Sequence, residues 1–89
     1  MLIALIARDK PGALQIRLDT RDAHIAYLKE GGAVSQAGPI LGEDEAMIGS
    51  LIVLDVPDMA AAEAWAQNDP YAKAGLFASV ELIPWKKVI

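Results

Sequence analysis

The chain has no cysteine and a single histidine. Without cysteine there are no disulfides and no thiolate metal sites, and one imidazole is too few for a typical protein-only transition-metal centre. No apolar run approaches the ~20 residues that a bilayer-spanning helix requires. The opening run Leu2–Ala7 is short, lacks a basic leader and meets Arg8 at once. It does not have the form of a signal peptide, so the expected compartment is the cytoplasm, with no membrane partner. No glycine-rich nucleotide loop is present, and Glu43-Asp44-Glu45 lacks the interleaved spacing of a calcium loop. Basic charge is also short, with 8 Lys and Arg against 12 Asp and Glu and a net charge of −4. That balance disfavours nucleic acid, whose backbone is bound by clustered cations.

What charge there is lies unevenly. Arg8, Lys10, Arg17, Arg21 and Lys29 fall in the first third, whereas Glu30 to Asp69 holds eight acidic residues and no basic one. Two readings follow: an ordinary solvated surface, or a first helix offering a positive face to an anionic ligand or an acidic surface.

At 89 residues the chain suffices for a single domain, residues 1–89. A domain of this size buries only ~60% of the surface its unfolded chain exposes, and with no disulfide the common remedy is a partner subunit. Hydrophobic residues make up 54% of the chain, which accords with surface meant for a second copy.

Residues 2–7 read as a buried strand, and Pro11-Gly12 ends it, with Pro suited to a first helical turn. Leu14, Leu18, Ile25 and Leu28 then step at helical spacing with Arg21 in the same stripe, and Gly31-Gly32 closes the helix. Ala33 to Ala37 reads as a weaker strand ending at Gly38-Pro39. Met47 to Val56 is the clearest strand, and Pro57 stops it. Asp58 is placed to cap an Ala-rich helix over residues 59–67. Asn68-Asp69-Pro70 breaks that helix and starts a short turn through Lys73. Gly75 ends the turn, and Phe77 to Trp85 makes a last strand whose Pro84 marks a sheet edge. The order β-α-β-β-α-β is the split βαβ pattern, an α+β fold with helices on one face of an antiparallel sheet. The other face is left bare, which again asks for a partner.

Arg21-x-x-His24-x-x-Tyr27-Leu28, Gly38-Pro39, Gly49-Ser50, Asn68-Asp69-Pro70-Tyr71-x-x-Ala74-Gly75-Leu76 and Ile83-Pro84-Trp85 occur in that order. Together they resemble the YciI-like family nearly end to end, most specifically in the Asp-Pro-aromatic block. The resemblance implies the ferredoxin-like βαββαβ fold, paired face to face with a second copy as a dimeric α/β barrel. It also implies a His–Asp active-site pair in a cleft. Relatives in the wider barrel class include muconolactone isomerases, monooxygenases of aromatic substrates and haem-binding enzymes.

His24 is the candidate proton carrier, on one helical face with Arg17 and Arg21. Asp69 before Pro70 looks like a helix N-cap, and a carboxylate can cap a helix and orient an imidazole at once. Arg17 and Arg21 can hold a carboxylate or phenolate, or instead pair with Asp22 or Glu30. Ser50, beside Gly49, can give a ligand hydrogen bond; it does not sit on the tight turn usual for a serine nucleophile. Gly38 and Pro39 either floor a pocket or simply end a strand. Tyr71, Trp65, Phe77 and Trp85 read as core or interface packing. The expected function is a cofactor-free enzyme performing isomerisation or elimination on an anionic, cyclic or aromatic small molecule. The alternative is a non-catalytic metabolite-binding or accessory dimer.

Overall fold

Apolar runs build the central strands, and their successive side chains point to opposite faces of the sheet. The computed structural model describes residues 1–89. Strand β1 (Leu2–Asp9) is followed by helix α1 (Leu14–Lys29), strands β2 (Val34–Leu41) and β3 (Met47–Asp55), helix α2 (Met59–Asn68), a four-residue helix α3 (Pro70–Lys73), and strand β4 (Phe77–Trp85). All neighbouring strands are antiparallel in the order β2-β3-β1-β4. This is the ferredoxin-like βαββαβ arrangement expected from the sequence. No helix is long and apolar enough to cross a membrane.

One face of the sheet carries Ile3, Leu5 and Ala7 from β1 and Ile52 and Leu54 from β3, all essentially inaccessible to solvent. They meet Ala62 of α2, with Leu28, Met59 and Trp65 packed around them. Each fully buried Leu or Ile contributes roughly 1.5–3 kcal/mol by leaving water. Asp58 caps α2, its carboxylate accepting from the Ala61 N–H at 2.9 Å. Gly31, at φ 74°, supplies the left-handed residue that ends α1.

Three local expectations are corrected. Pro11 and Gly12 form the turn before α1 and are not its first turn. Strand β2 continues through Gly38 and Pro39 to Leu41. It tolerates Pro39 because β2 is an edge strand, where a missing N–H can face away from the ladder. The first half of the Leu stripe of α1 does not face the core: Leu14 and Leu18 are about half exposed, although Leu28 packs against it, and the residues the helix buries are Arg17 and His24. That rotation is possible because both polar side chains find partners inside.

The opposite sheet face presents Ala4, Leu51, Val53, Ile83 and Trp85, by the alternation of the strand registers. No helix covers it, and it holds a shallow apolar depression of about 470 Å³.

Candidate active site

Asp69 lies where α2 gives way to α3, at a break enforced by Pro70. Its Oδ1 accepts from the Tyr71 backbone N–H at 3.0 Å, which caps α3. The same oxygen lies 2.8 Å from His24 Nδ1 on α1, although 45 positions separate the two residues. With the carboxylate accepting, Nδ1–H is the donor, and Nε2 keeps its lone pair. Asp69 is 1% exposed and His24 6%, so the pair is shielded from bulk water. Asp69 Oδ2 is buried and has no protein partner.

Tyr71 stacks on the imidazole, with ring centroids 3.8 Å apart and planes within 14°. The Arg17 guanidinium lies 4.8 Å from the same phenol ring. Arg17 grips Asp9, at the end of β1, through Nε–Oδ2 at 2.7 Å and Nη2–Oδ1 at 2.9 Å. Its Nη2 also donates to Ser50 Oγ at 2.9 Å. Burial works against the Arg17 charge, but the Asp9 hydrogen bonds and negative charge outweigh it and raise the guanidinium pKa further. Burial likewise raises the Tyr71 phenol pKa above the ordinary value, against the pull of Arg17 and Arg21, so Tyr71 stays a neutral phenol near neutrality.

These side chains border a cleft of about 180 Å³ between α1 and the β2–β3 side of the sheet. Arg17, Arg21, His24, Gly38, Pro39 and Ser50 all line it, with Ile25, Leu28, Met47 and Ile52 supplying apolar wall. Asp69 stands behind His24. The sequence-derived candidates therefore converge on one place. Arg17 is held by Asp9, not by the Asp22 or Glu30 suggested by helical spacing. Arg21 is exposed and forms no ion pair, which leaves it as the unpaired cation at the cleft. No group of three or more His, Asp or Glu side chains converges to hold a metal.

Sequence reasoning missed Asp9 and undervalued Tyr71. Asp9 sits between Arg8 and Lys10, where nothing in the spacing links a strand end to the buried face of the next helix. Tyr71 had a usable signal in its place two residues after Asp69, within the Asp-Pro-aromatic block.

A ferredoxin-like α+β domain with a buried His–Asp pair beside a small, singly cationic cleft is the class that this geometry defines. The chain belongs to the YCII-related domain family, which matches residues 1–86. It is 36% identical to the protein YciI of Escherichia coli over 99% of both chains. A solved structure of 5-chloro-2-hydroxyhydroquinone dehydrochlorinase (TftG) from Burkholderia phenoliruptrix, in complex with 2,5-dihydroxybenzoquinone, is 36% identical. It superposes with a TM-score of 0.89 over 97% of this chain and 94% of that one. A dimeric ferredoxin-like protein from Jannaschia, 14% identical, has a TM-score of 0.59 over 97% of this chain and 98% of that one, and shares the fold.

Proposed function

We propose that the chain is a small enzyme that uses its side chains alone to move a proton on an anionic, cyclic small molecule, with elimination the favoured outcome. The observation that carries this reading is the 2.8 Å hydrogen bond committing His24 Nδ1 to buried Asp69 while the same imidazole borders the cleft. Nε2 is then the nitrogen available to a ligand, and Asp69 stabilises the imidazolium that forms when Nε2 takes a proton.

In the elimination, a substrate C–H or O–H proton passes to Nε2 and the freed electron pair enters the ring. A leaving anion departs with its own bonding pair, so that HX is lost overall and no oxidant is consumed. Isomerisation differs only in returning the proton to another ring atom. Arg21 attracts the substrate oxyanion. A cleft of about 180 Å³ suits one six-membered ring, since an engineered cavity of about 150 Å³ accepts benzene. The dehydrochlorinase relative and its quinone complex favour elimination over isomerisation.

The test is chloride release from chlorinated hydroxyhydroquinones, together with exchange of their ring hydrogens in deuterated water. Wild type should turn over, and His24→Ala should lower kcat by about 10²-fold or more. Arg21→Gln should raise KM more than it lowers kcat, because its attraction is common to bound substrate and transition state. Saturable binding with neither chloride release nor exchange would make the protein a binding module and overturn the proposal.

A further inference from the structure

Met47, the first residue of β3, points where simple alternation would not put it. Ser50, Ile52 and Leu54 lie on the helical face of the sheet. Strict period two would send Ile48 to that face as well, and Met47 to the bare one. The register with β2 breaks at this point: Ile40 pairs with Gly49 and Leu41 with Met47, which leaves Ile48 as an extra residue with no partner on β2. Such a bulge re-aims the side chains beyond it, and Met47 joins Ser50 and Ile52 in the wall of the cleft. Ile48 holds the bulge by packing on Gly42, where an added Cβ would lie 3.1 Å from Ile48 Cγ2.

A second depression, of about 260 Å³, lies on the other side of Met47, between the β1–α1 turn and the start of β3. Pro11, Leu14, Ala46 and Ile48 give it apolar walls. Helix α1 and strand β3 run past both hollows, and Met47 is the one residue that lines both. Beside it the boundary is closed by Asp9, on the side of the depression, and Arg17, on the side of the cleft. Their two hydrogen bonds, at 2.7 and 2.9 Å, make that part unyielding, because parting them would leave a buried charge unpaired. Met47 is different. It is half-buried, packs into neither hydrophobic core cluster, and carries a flexible, unbranched thioether. Its truncation therefore opens the boundary at little cost to the core.

We propose that Met47 is the specificity-determining residue of the site, closing one end of the cleft and holding its ligand to a single six-membered ring. This rests on the reading above of the cleft as a site for an anionic ring. Without the thioether the cleft continues into the apolar depression, and the ligand class widens to fused bicyclic hydroxyquinones. Ring size is thus set by the one boundary residue that a bulge, and not the strand's own period, turns inward.

The probes are two coloured, acidic hydroxyquinones: 2,5-dihydroxybenzoquinone, with one ring, and 2-hydroxy-1,4-naphthoquinone, with two. Each is titrated against the folded protein and followed by its visible absorbance. Wild type should bind the single ring about tenfold or more tightly than the fused pair, the scale on which an apolar pocket discriminates by size. Met47→Ala should change the ratio of the two Kd values by about tenfold to a hundredfold in favour of the fused pair. Met47→Leu, which conserves volume, should keep the wild-type ratio. The ratio is the readout because a merely structural effect of the substitution would weaken both probes alike. If Met47→Ala does not fold, Met47→Val carries the same test, with an expected change of about threefold or more. A ratio that stays within about twofold of wild type in the truncated variant overturns the proposal, as does wild type that binds both rings equally. A Met47→Leu ratio that moves as far as that of Met47→Ala overturns it too, since space would not be the cause. The two proposals fail separately: quinone binding with neither chloride release nor hydrogen exchange sinks the proton-transfer reading, while the ratio still stands or falls by itself. Wild type that binds neither quinone overturns both.

Discussion

Asp69 Oδ1 serves two donors at once, the Tyr71 backbone and the imidazole of His24. Asp69→Ala removes a cap and strands two buried N–H groups, so it should cost about 1–3 kcal/mol of stability. Asp69→Asn keeps an acceptor at that position and should cost less. Urea denaturation checks this: equal midpoints for wild type and Asp69→Ala would contradict the capping role. The tyrosines give a second test. Tyr27 and Tyr71 are the only two in the chain, and burial raises both phenols above the ordinary 10.0, with Asp69 and Glu30 adding to the rise at Tyr27. A phenol whose folded pKa exceeds its unfolded one stabilises the fold fully below the unfolded pKa. That contribution is lost as pH rises through the unfolded value toward the folded one. We therefore expect tyrosinate absorbance in the folded protein only above the pH at which free tyrosine ionises, with stability declining over the same window. Ionisation of both phenols at the ordinary value in the folded state would contradict the burial argument.

Among the elements, α1 departs most from its sequence pattern, turning two leucines outward and two polar residues inward. The cost of burying Arg17 and His24 is offset by fixed acceptors: Asp9 from β1, Ser50 from β3, and Asp69 from the α2–α3 junction. Strand β3 carries the other close constraint. A Cβ at Gly49 would sit against the Ala7 carbonyl oxygen of β1, in backbone that cannot yield without breaking the ladder. Gly49→Ala should therefore destabilise by about 1–3 kcal/mol, as overpacking does. It should also displace Ser50, its neighbour in the cleft wall. Differential scanning calorimetry would show this as a lowered Tm, and a Tm unchanged from wild type would mean that the strand pair relaxes freely.

For the whole molecule, the uncovered sheet face is the feature that bears on assembly. Four strands about 4.8 Å apart and some eight residues long span roughly 500 Å² in projection. That is of the order of the ~800 Å² that a standard interface buries on each partner. Leu51, Ile83 and Trp85 lie on this face at 46%, 42% and 43% exposure, more than an isolated domain of this size usually leaves open. We expect a homodimer joined face to face through these residues. Sedimentation should give twice the chain mass, and Leu51→Asp should shift the protein to monomer with a loss of stability. A stable folded wild-type monomer at micromolar concentration would contradict the interface. The apolar depression on this face and the cleft beside His24 share Ala37, Gly38 and Pro39 of edge strand β2. A partner docked on one side of β2 would therefore bear on the wall of the candidate site on the other.

The sequence alone determined the order of the elements, the ends of β4, the Asp58 and Asp69 caps and the breaks at Pro57, Pro70 and Gly75. Those features are set by side-chain period, backbone freedom and hydrogen bonds within a few residues, all of which can be read locally. The candidate residues were legible too, His24 and Asp69 through the motifs that carry the family resemblance. The tertiary structure decided which way α1 faces, that β2 runs on through Pro39, that Asp9 holds Arg17, and that Tyr71 stacks on His24 with the Arg17 guanidinium over the same ring. A helix's own periodicity favours turning leucine inward and arginine outward. Only partners 8, 33 and 45 positions away, brought together by the sheet and the α2–α3 break, reverse that preference by giving each buried polar group an acceptor.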